Sequence, residues 1–539
     1  MMISQLLPFF VITPVLIAVF LYVFFSLKIV RIIAITVQAA FMIPAGWLLM
    51  SARETDVLVS VGDYDGLLGI ILRADLLAAV FVFLTVFIFL MVGIYTYQTP
   101  YDRTKRLYLF LIFLLEGVLI GLFLTRDFFN IFVLVEVSTV VVTILLMYDR
   151  TRRNMFAGMM FLMVNIVVMQ MYLFGLGYLY MLTGVMDMEG ASVVIATMDS
   201  NQLALPYALI MTSIASKCSL LPMITWLPKV NSLTGSRFTI AAIMSGLHIK
   251  AGVYLFMRFQ DVFGDIGMDF FLVIGVVTAV AGVILALSQT EIRLLLAYST
   301  IAQVGLIIVG LNLDYEYSRV GSLFHIVNHS LFKVALFLCA SQISYLYQTK
   351  NIQKIRGAFK QTPLIAVANI IAILGIVGAP LFNGSISKYF LVYGADGPLE
   401  WIIILINLGT ILVFVKYATI FFGKPLTKVR EEETLVSDTN RRGVVFALGA
   451  MCIVLGIGGV QAIYFLFDVP VTLTFGGYME KIGIFFVSVI IAVLLYKYVL
   501  AKRTFLSKLN GLNLSFQKIC VSIGIFFAIL LVYIGVFYG

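Results

Sequence analysis

Charge is scarce in this chain: Asp, Glu, Lys and Arg make up 12% of its 539 residues, against 62% hydrophobic. With a mean hydropathy of +1.09, a soluble globular domain of this size is excluded. Cysteine is scarce as well. Cys218, Cys339, Cys452 and Cys520 lie in apolar segments and never in a C-x-x-C pair, which argues against iron–sulfur or zinc binding. No G-x-x-x-x-G-K-[ST] loop is present, so an ATP-driven pump is not indicated. The first apolar run, MMISQLLPFFVITPVLIAVFLYVFFSLK, lacks a basic n-region and a small-residue cleavage site, so it reads as a retained helix. No stretch remains for a soluble domain, and nucleic-acid binding has no platform. Redox and cofactor machinery is likewise not expected within the chain.

What is there is a series of long apolar runs, among them residues 6–27, 76–96, 129–147, 267–287, 443–467 and 515–537. Each can cross the roughly 30 Å hydrocarbon core as a helix of about 20 residues. The runs lack the alternation of a barrel, and backbone groups in lipid must be satisfied internally. The expected fold is an all-α integral membrane protein with about sixteen spans.

Basic residues cluster in every second loop: Lys28 and Arg31; Arg103, Lys105 and Arg106; Arg150, Arg152 and Arg153; Lys229 and Arg237; Arg293; Lys350 to Lys360; Lys424 to Arg442; Lys502 to Lys508. The intervening loops, such as 51–75, 185–205 and 393–400, are poor in Lys and Arg or dominated by acids. The positive-inside rule then sets the basic loops in the cytoplasm and both termini on the outer side of the cell membrane.

Several ionisable residues fall inside the apolar segments: Glu116 and Glu136, and Lys217, Lys250, Lys333, Lys388 and Lys416. A charge at a span centre costs about 2.5 to 3.5 kcal/mol even on lenient scales, so such residues face protein or water and mark pathways. Any single one can be a structural ion pair or a snorkelling amine; seven of them argue for a pathway. The chain has three histidines, His248, His325 and His329. In GSLFHIVNHSLFKVALF, His325, His329 and Lys333 stand at i, i+4 and i+8 on one helical face. A metal site is conceivable from the histidine pair, but no carboxylate or third histidine accompanies it in that helix. A pair bonded across a helix interface is the plain structural alternative. A proton relay fits better, because histidine titrates near neutrality and loss of water makes a lysine release its proton more readily.

The topology contains a repeat. Three spans fill residues 1–106; a five-span block, 107–258, is followed by a second, 259–423; the last three spans fill 424–539. In each block the fourth span carries a lysine beside a proline-containing break, Lys217 in SKCSLLPMITWLP and Lys388 in GIVGAPLFNGSISKYF, and the fifth carries Lys250 or Lys416. Because five is odd, the second block runs inverted relative to the first, a common build of ion-coupled transporters with broken helices near the midplane.

Six segments, LTRDFFNIFVLVEV, SKCSLLPMITWLPK, SGLHIKAGVYLFMRF, LLLAYSTIAQVGLIIVGL, FHIVNHSLFKVALFL and GAPLFNGSISKYFLV, resemble in order the motifs of antiporter-like subunits. Such subunits occur in Mrp-type sodium/proton antiporters, energy-converting hydrogenases and complex I. The resemblance covers about two thirds of the chain, and LTRDFFN looks closer to the Mrp and hydrogenase branch. It implies a proton axis of Glu136 paired with Lys217, then Lys250, His325 and His329, then Lys388, with Lys333 on the same face. Glu116, Lys416 and His248 are secondary candidates. Lys229 in WLPKV reverses the charge of the family's usual W-L-P-D, and Arg126, Asn383 and Leu294 also depart from the pattern.

The resemblance implies a proton-translocating subunit working with other membrane subunits, with sodium as a second candidate ion. Sodium needs oxygen ligands, which Asp75, Asp127 and Glu116 could supply. The most direct reading is an Mrp-type antiporter subunit; the alternatives are the ion-pumping subunit of a redox-driven complex and, further off, a free-standing solute transporter.

Overall fold

The computed structural model describes residues 4–24, 28–61, 70–97, 105–233, 238–426, 429, 439–500 and 514–538. Arg103, Arg237, Lys428, Arg430, Lys502, Arg503 and Lys508 lie outside the described residues.

Among the described residues fourteen helices are long and apolar enough to cross a membrane. Two further stretches are built of interrupted helices. The chain forms α1 (Leu7–Phe24), α2 (Lys28–Glu54), a hairpin of β1 (Val57–Val61) and β2 (Ile70–Ala74), α3 (Leu76–Thr96), α4 (Lys105–Leu124), α5 (Phe128–Met147) and α6 (Arg152–Thr183). There follow α7 (Met188–Ile195), α8 (Ser200–Lys217), α9 (Trp226–Leu233), α10 (Phe238–Ile243), a π-helical turn (Met244–His248) and α11 (Ile249–Phe263). Next come α12 (Met268–Ser288), α13 (Ile292–Leu311), α14 (Glu316–Leu346), α15 (Ala358–Gln361), α16 (Pro363–Val377), α17 (Asn383–Leu391) and α18 (Pro398–Ala418). The last are α19 (Thr439–Ile457), α20 (Gly459–Phe467), α21 (Phe475–Leu495) and α22 (Phe516–Phe537).

The interrupted stretches are α8 followed by α9 and α16 followed by α17, and both breaks carry a proline, Pro222 and Pro380. Proline removes a backbone donor and clashes with the preceding turn, so helix ends there. At the second break Gly378 caps α16 at φ +80°. Gly384 packs so close to the Gly375 carbonyl that a Cβ would overlap its oxygen. Two sequence expectations change here. The run 443–467 is two helices, since α19 stops and α20 starts around Gly458. The loop 51–75 contains the antiparallel β1–β2 hairpin, with Val57 opposite Ala74 and Val61 opposite Ile70.

The chain divides into two compact units, the first made of residues 1–218, 251–267 and 515–539 and the second of 219–250 and 268–514. In the first, α1 packs on α4, α5 and α8 pack on α6, and α22 lies against α8. Asp75, the N-cap of α3, holds two cations: Arg258 Nη2 at 2.6 Å from Oδ1 and Arg126 Nη2 at 3.1 Å from Oδ2. Burial raises the Asp75 pKa, but Arg258 and Arg126 outweigh it and bring the group down to about 2. Arg126 therefore has a structural partner, and its Nη1 also donates to Tyr254 Oη at 3.0 Å.

In the second unit α14 is the hub, packed by α10, α13, α16, α17 and α19, while α12 pairs with α13 and α18. Lys229, the reversed charge of WLPKV, donates to the Leu514 carbonyl at 2.6 Å, just before α22 begins. The departure thus serves a contact with the chain beyond the motif region.

Candidate functional site

In the first unit Lys217 is the last residue of α8 and is 8% exposed. Its ammonium donates to Asn165 Oδ1 on α6 at 2.6 Å and to Thr139 Oγ1 on α5 at 3.2 Å. The expected ion pair with Glu136 is not closed: among the described residues neither a hydrogen bond nor a salt bridge joins the two side chains. Glu136 lies one turn before Thr139 on α5, and its Oε1 is buried with no hydrogen-bond partner among the described residues. The α11 backbone comes so close that a Cβ on Gly252 would stand 2.8 Å from the Lys217 carbonyl carbon.

In the second unit Lys250, His325, His329 and Lys333 have no exposed surface. Lys250 donates to the Ser245 carbonyl in the π-helical turn, where the helical ladder is loosened. His248 is buried in the same turn. Lys333 donates to the Leu296 carbonyl at 3.0 Å and to Ser299 Oγ, both on α13. Lys388, on α17 just past the second break, donates to the Ile376 carbonyl and to Asn407 Oδ1, each at 2.7 Å. Ile376 is in the last turn of α16, where a carbonyl has lost its helical partner and the helix dipole favours a cation.

His325 bridges two helices, with Nδ1 2.9 Å from Ser387 Oγ on α17 and Nε2 3.1 Å from Gln303 Oε1 on α13. A neutral ring donates from Nε2 to Gln303 and accepts at Nδ1 from the serine hydroxyl. A second proton on Nδ1 turns Ser387 into the acceptor, and its hydroxyl is then directed to the Asn383 carbonyl at 3.1 Å. Both charge states of His325 are satisfied without moving a helix. His329 is different: neither ring nitrogen has a hydrogen-bond partner among the described residues, and Phe332 packs edge-on at 5.3 Å between centroids. Buried polar groups are ordinarily satisfied by protein or ordered water, so this ring is a place for water to bridge.

The lysines of both units are thus held by carbonyls, amides and hydroxyls instead of carboxylates. A neutral acceptor steadies an ammonium without neutralising its charge, as a carboxylate in a buried ion pair would.

Of the secondary candidates, His248 shares the turn that holds Lys250, while Lys416 and Glu116 have other partners. Lys416 donates to the Leu287 and Gln289 carbonyls, each at 2.6 Å, and so caps the C-terminal end of α12. Glu116 on α4 accepts from Gln38 on α2, and both are buried. Asp75, Asp127 and Glu116 do not form a common ligand set: Asp75 is bound to arginines and Asp127 caps α5 through Asn130 N. Sequence reasoning missed Asn165, Gln303, Ser387 and Asn407. The signal for the amides was a lone Asn or Gln inside an apolar run, open to the same cost argument as a charge. Asn383, a departure from the motif, exchanges hydrogen bonds with Asn328 of α14 at 3.0 and 3.2 Å and so fixes the break to the hub helix.

These features define a multi-pass helical membrane protein whose interior carries cationic side chains on interrupted helices. Residues 125–413 match the NADH:quinone oxidoreductase/Mrp antiporter, TM family, and the chain belongs to it. A Na(+)/H(+) antiporter subunit of Alkalihalophilus pseudofirmus is 30% identical over 344 residues, 62% of this chain and 69% of that protein. Its counterpart in Bacillus subtilis, also a Na(+)/H(+) antiporter subunit, is 28% identical over 428 residues, 76% and 86% of the two chains. A chain in the structure of the Mrp complex from Dietzia sp. DQ12-45-1b superposes with a TM-score of 0.79 at 21% identity, covering 95% of this chain and 100% of that one. A chain of the membrane-bound sulfane sulfur reductase, an archaeal respiratory membrane complex, has the same fold, with a TM-score of 0.77 at 21% identity over 92% and 100%.

Proposed function

We propose that this chain is a proton-translocating subunit of an Mrp-type cation/proton antiporter, assembled with other membrane subunits in the cell membrane. The observation that carries the reading is that Lys217, Lys250, Lys333 and Lys388, none more than 9% exposed, rest on neutral acceptors. Lys217 and Lys388 are the sites that load and release the proton. Approach of Glu136 would hold Lys217 protonated, and its withdrawal would free the proton. Lys250, His325 and His329, with water at His329, form the relay, and Lys333 continues the same face. These groups titrate as a coupled set.

The two five-helix blocks, 107–258 and 259–423, serve as inverted repeats, a reading supported by an interrupted helix with a buried lysine in each. The positive-inside pattern supports termini on the outer side. The chain carries no cofactor of its own in this reading, and sodium is handled by the assembled complex. A redox-driven role has the breadth of the family and one fold likeness behind it, whereas relatives at 27 to 30% identity bear antiporter names.

The test is to purify the complex in mild detergent, assay iron and acid-labile sulfide, and measure sodium-driven proton movement after reconstitution. Exchange by an iron-free assembly is the expected result; an iron-rich assembly that moves protons only with an electron donor would refute the antiporter reading.

A further inference from the structure

Helices α1, α2 and α4 of the first unit meet at a buried junction that involves none of the lysines and histidines described above. Glu116 of α4 has no exposed surface, and Gln38 of α2 is 1% exposed. Gln38 Nε2 donates to Glu116 Oε1 at 2.5 Å. Two oxygens are left over. Glu116 Oε2 and Gln38 Oε1 are both buried, and neither has a hydrogen-bond partner among the described residues. An ionised carboxylate and an amide oxygen are acceptors, so the junction calls for a donor or a cation.

Helix α1 adds a third oxygen. Pro14 lies inside α1 and has no N–H, so the Phe10 carbonyl loses its usual donor in the helical ladder. The Phe10 ring stands 5.5 Å from that of Phe41, one turn past Gln38 on α2. On α4, Gly117 follows Glu116 directly and packs on α1: a Cβ there would stand 2.8 Å from the Val11 carbonyl oxygen and 3.6 Å from Pro14 Cβ. The sequence supplies no counter-charge nearby. Helix α1 carries no charged residue, and the bases of α2 and α4 stand in end turns: Lys28, Arg31 and Arg53, and Lys105 and Arg106. Arg106 donates to the Val23 carbonyl at 2.7 Å. An ionised carboxylate buried without a partner is too costly to keep.

We propose that Glu116, Gln38 and the Phe10 carbonyl form a binding site for one sodium ion at the junction of α1, α2 and α4. Charge selects the class of ion: a single carboxylate balances a monovalent cation, whereas a divalent one would leave net charge in the membrane interior. Carboxylate, amide and carbonyl oxygens suit a hard cation, and carbonyls freed from a helical ladder are used for sodium in membrane transporters. The close approach of α1 to α4 at Gly117 favours sodium over the larger potassium ion. An ion held there ties three helices together, so sodium stabilises the first unit. The site does not depend on the reading of the lysines as proton sites.

The experiment uses the full chain in its assembled complex, purified in detergent with choline chloride. Bound radioactive sodium and the thermal midpoint are measured as sodium chloride replaces choline chloride. The parent is expected to bind one more sodium ion per copy of this chain than Glu116→Gln, and to gain thermal stability with sodium that Glu116→Gln does not gain. Gln38→Leu keeps the carboxylate and covers the case of a Glu116 variant that fails to assemble; its half-saturating sodium concentration is expected to rise about tenfold. Equal sodium binding and equal midpoint response in the parent and both variants overturn the proposal. A parent midpoint that responds to pH and not to sodium also overturns it, because Glu116 then carries a proton. An equal response to potassium chloride overturns the assignment to sodium. Lys217→Ala is expected to keep the sodium response, so a failure of the proton axis and a failure of this site are told apart.

Discussion

Lys217 Nζ donates to Asn165 Oδ1 at 2.6 Å, and no carboxylate takes that place. A hydrogen bond to a charged group contributes about 1.5 to 3 kcal/mol, so the residue at 165 sets how tightly Lys217 holds its proton. Asn165→Asp should bind the proton too firmly and Asn165→Leu too weakly. Both variants should exchange roughly tenfold to a hundredfold more slowly. The aspartate variant should recover at alkaline pH and the leucine variant at acid pH, read from sodium-driven proton flux across a pH series. Identical profiles would show that Asn165 only fills space.

Glu136 stands one turn from Thr139, an acceptor of Lys217, on α5, and it is not bonded to Lys217 here. If approach and withdrawal are the switch, Glu136→Gln should lower exchange as far as Lys217→Ala does, while thermal stability changes little. A silent glutamine variant would separate the two residues.

The Asp75 cluster gives a pH dependence of stability. Its carboxyl falls from 3.8 to about 2 because Arg258 and Arg126 outweigh burial. A depressed carboxylate stabilises the fold above its unfolded pKa, so this contribution, roughly 2 kcal/mol, is complete above about pH 4 and fades towards pH 2. Asp75→Asn should lower the thermal midpoint of the detergent-solubilised complex at neutral pH and remove the part of its acid dependence that lies between pH 4 and 2. An unchanged midpoint would mean that the arginines find other partners.

Gly384 tests the second break. A methyl group there meets the Gly375 carbonyl, and neither partner is a flexible side chain. Gly384→Ala should cost about 1 to 3 kcal/mol and reduce exchange by shifting α17 and Lys388. Gly524→Ala, with nothing within 4 Å, is the matched control and should behave as the parent.

Much of this architecture was legible in the chain. Runs of about 20 apolar residues dictate helices in lipid, and Pro222 and Pro380 mark the two breaks. The buried Lys and His positions stood out because charge in an apolar helix is costly. Their partners did not. Asn165 and Asn407 carry no charge and no spacing rule links them to Lys217 and Lys388, because those contacts cross 52 and 19 residues of sequence. Lys416, a secondary candidate by its position in an apolar run, donates to the last carbonyls of α12, a contact that no spacing rule announces. The β1–β2 hairpin was hidden in a loop whose reading rested on charge alone, and Gly458 divides a run that hydropathy joins.

Whether the buried lysines and histidines carry the proton is decided by flux through the reconstituted complex bearing Lys217→Ala, His329→Ala or Lys388→Ala, with Lys416→Ala as the structural comparison. The first three are expected to assemble and lose exchange, while any assembled Lys416→Ala complex retains it. Wild-type flux in all three of the axis variants, with normal assembly, would contradict a proton path through these residues.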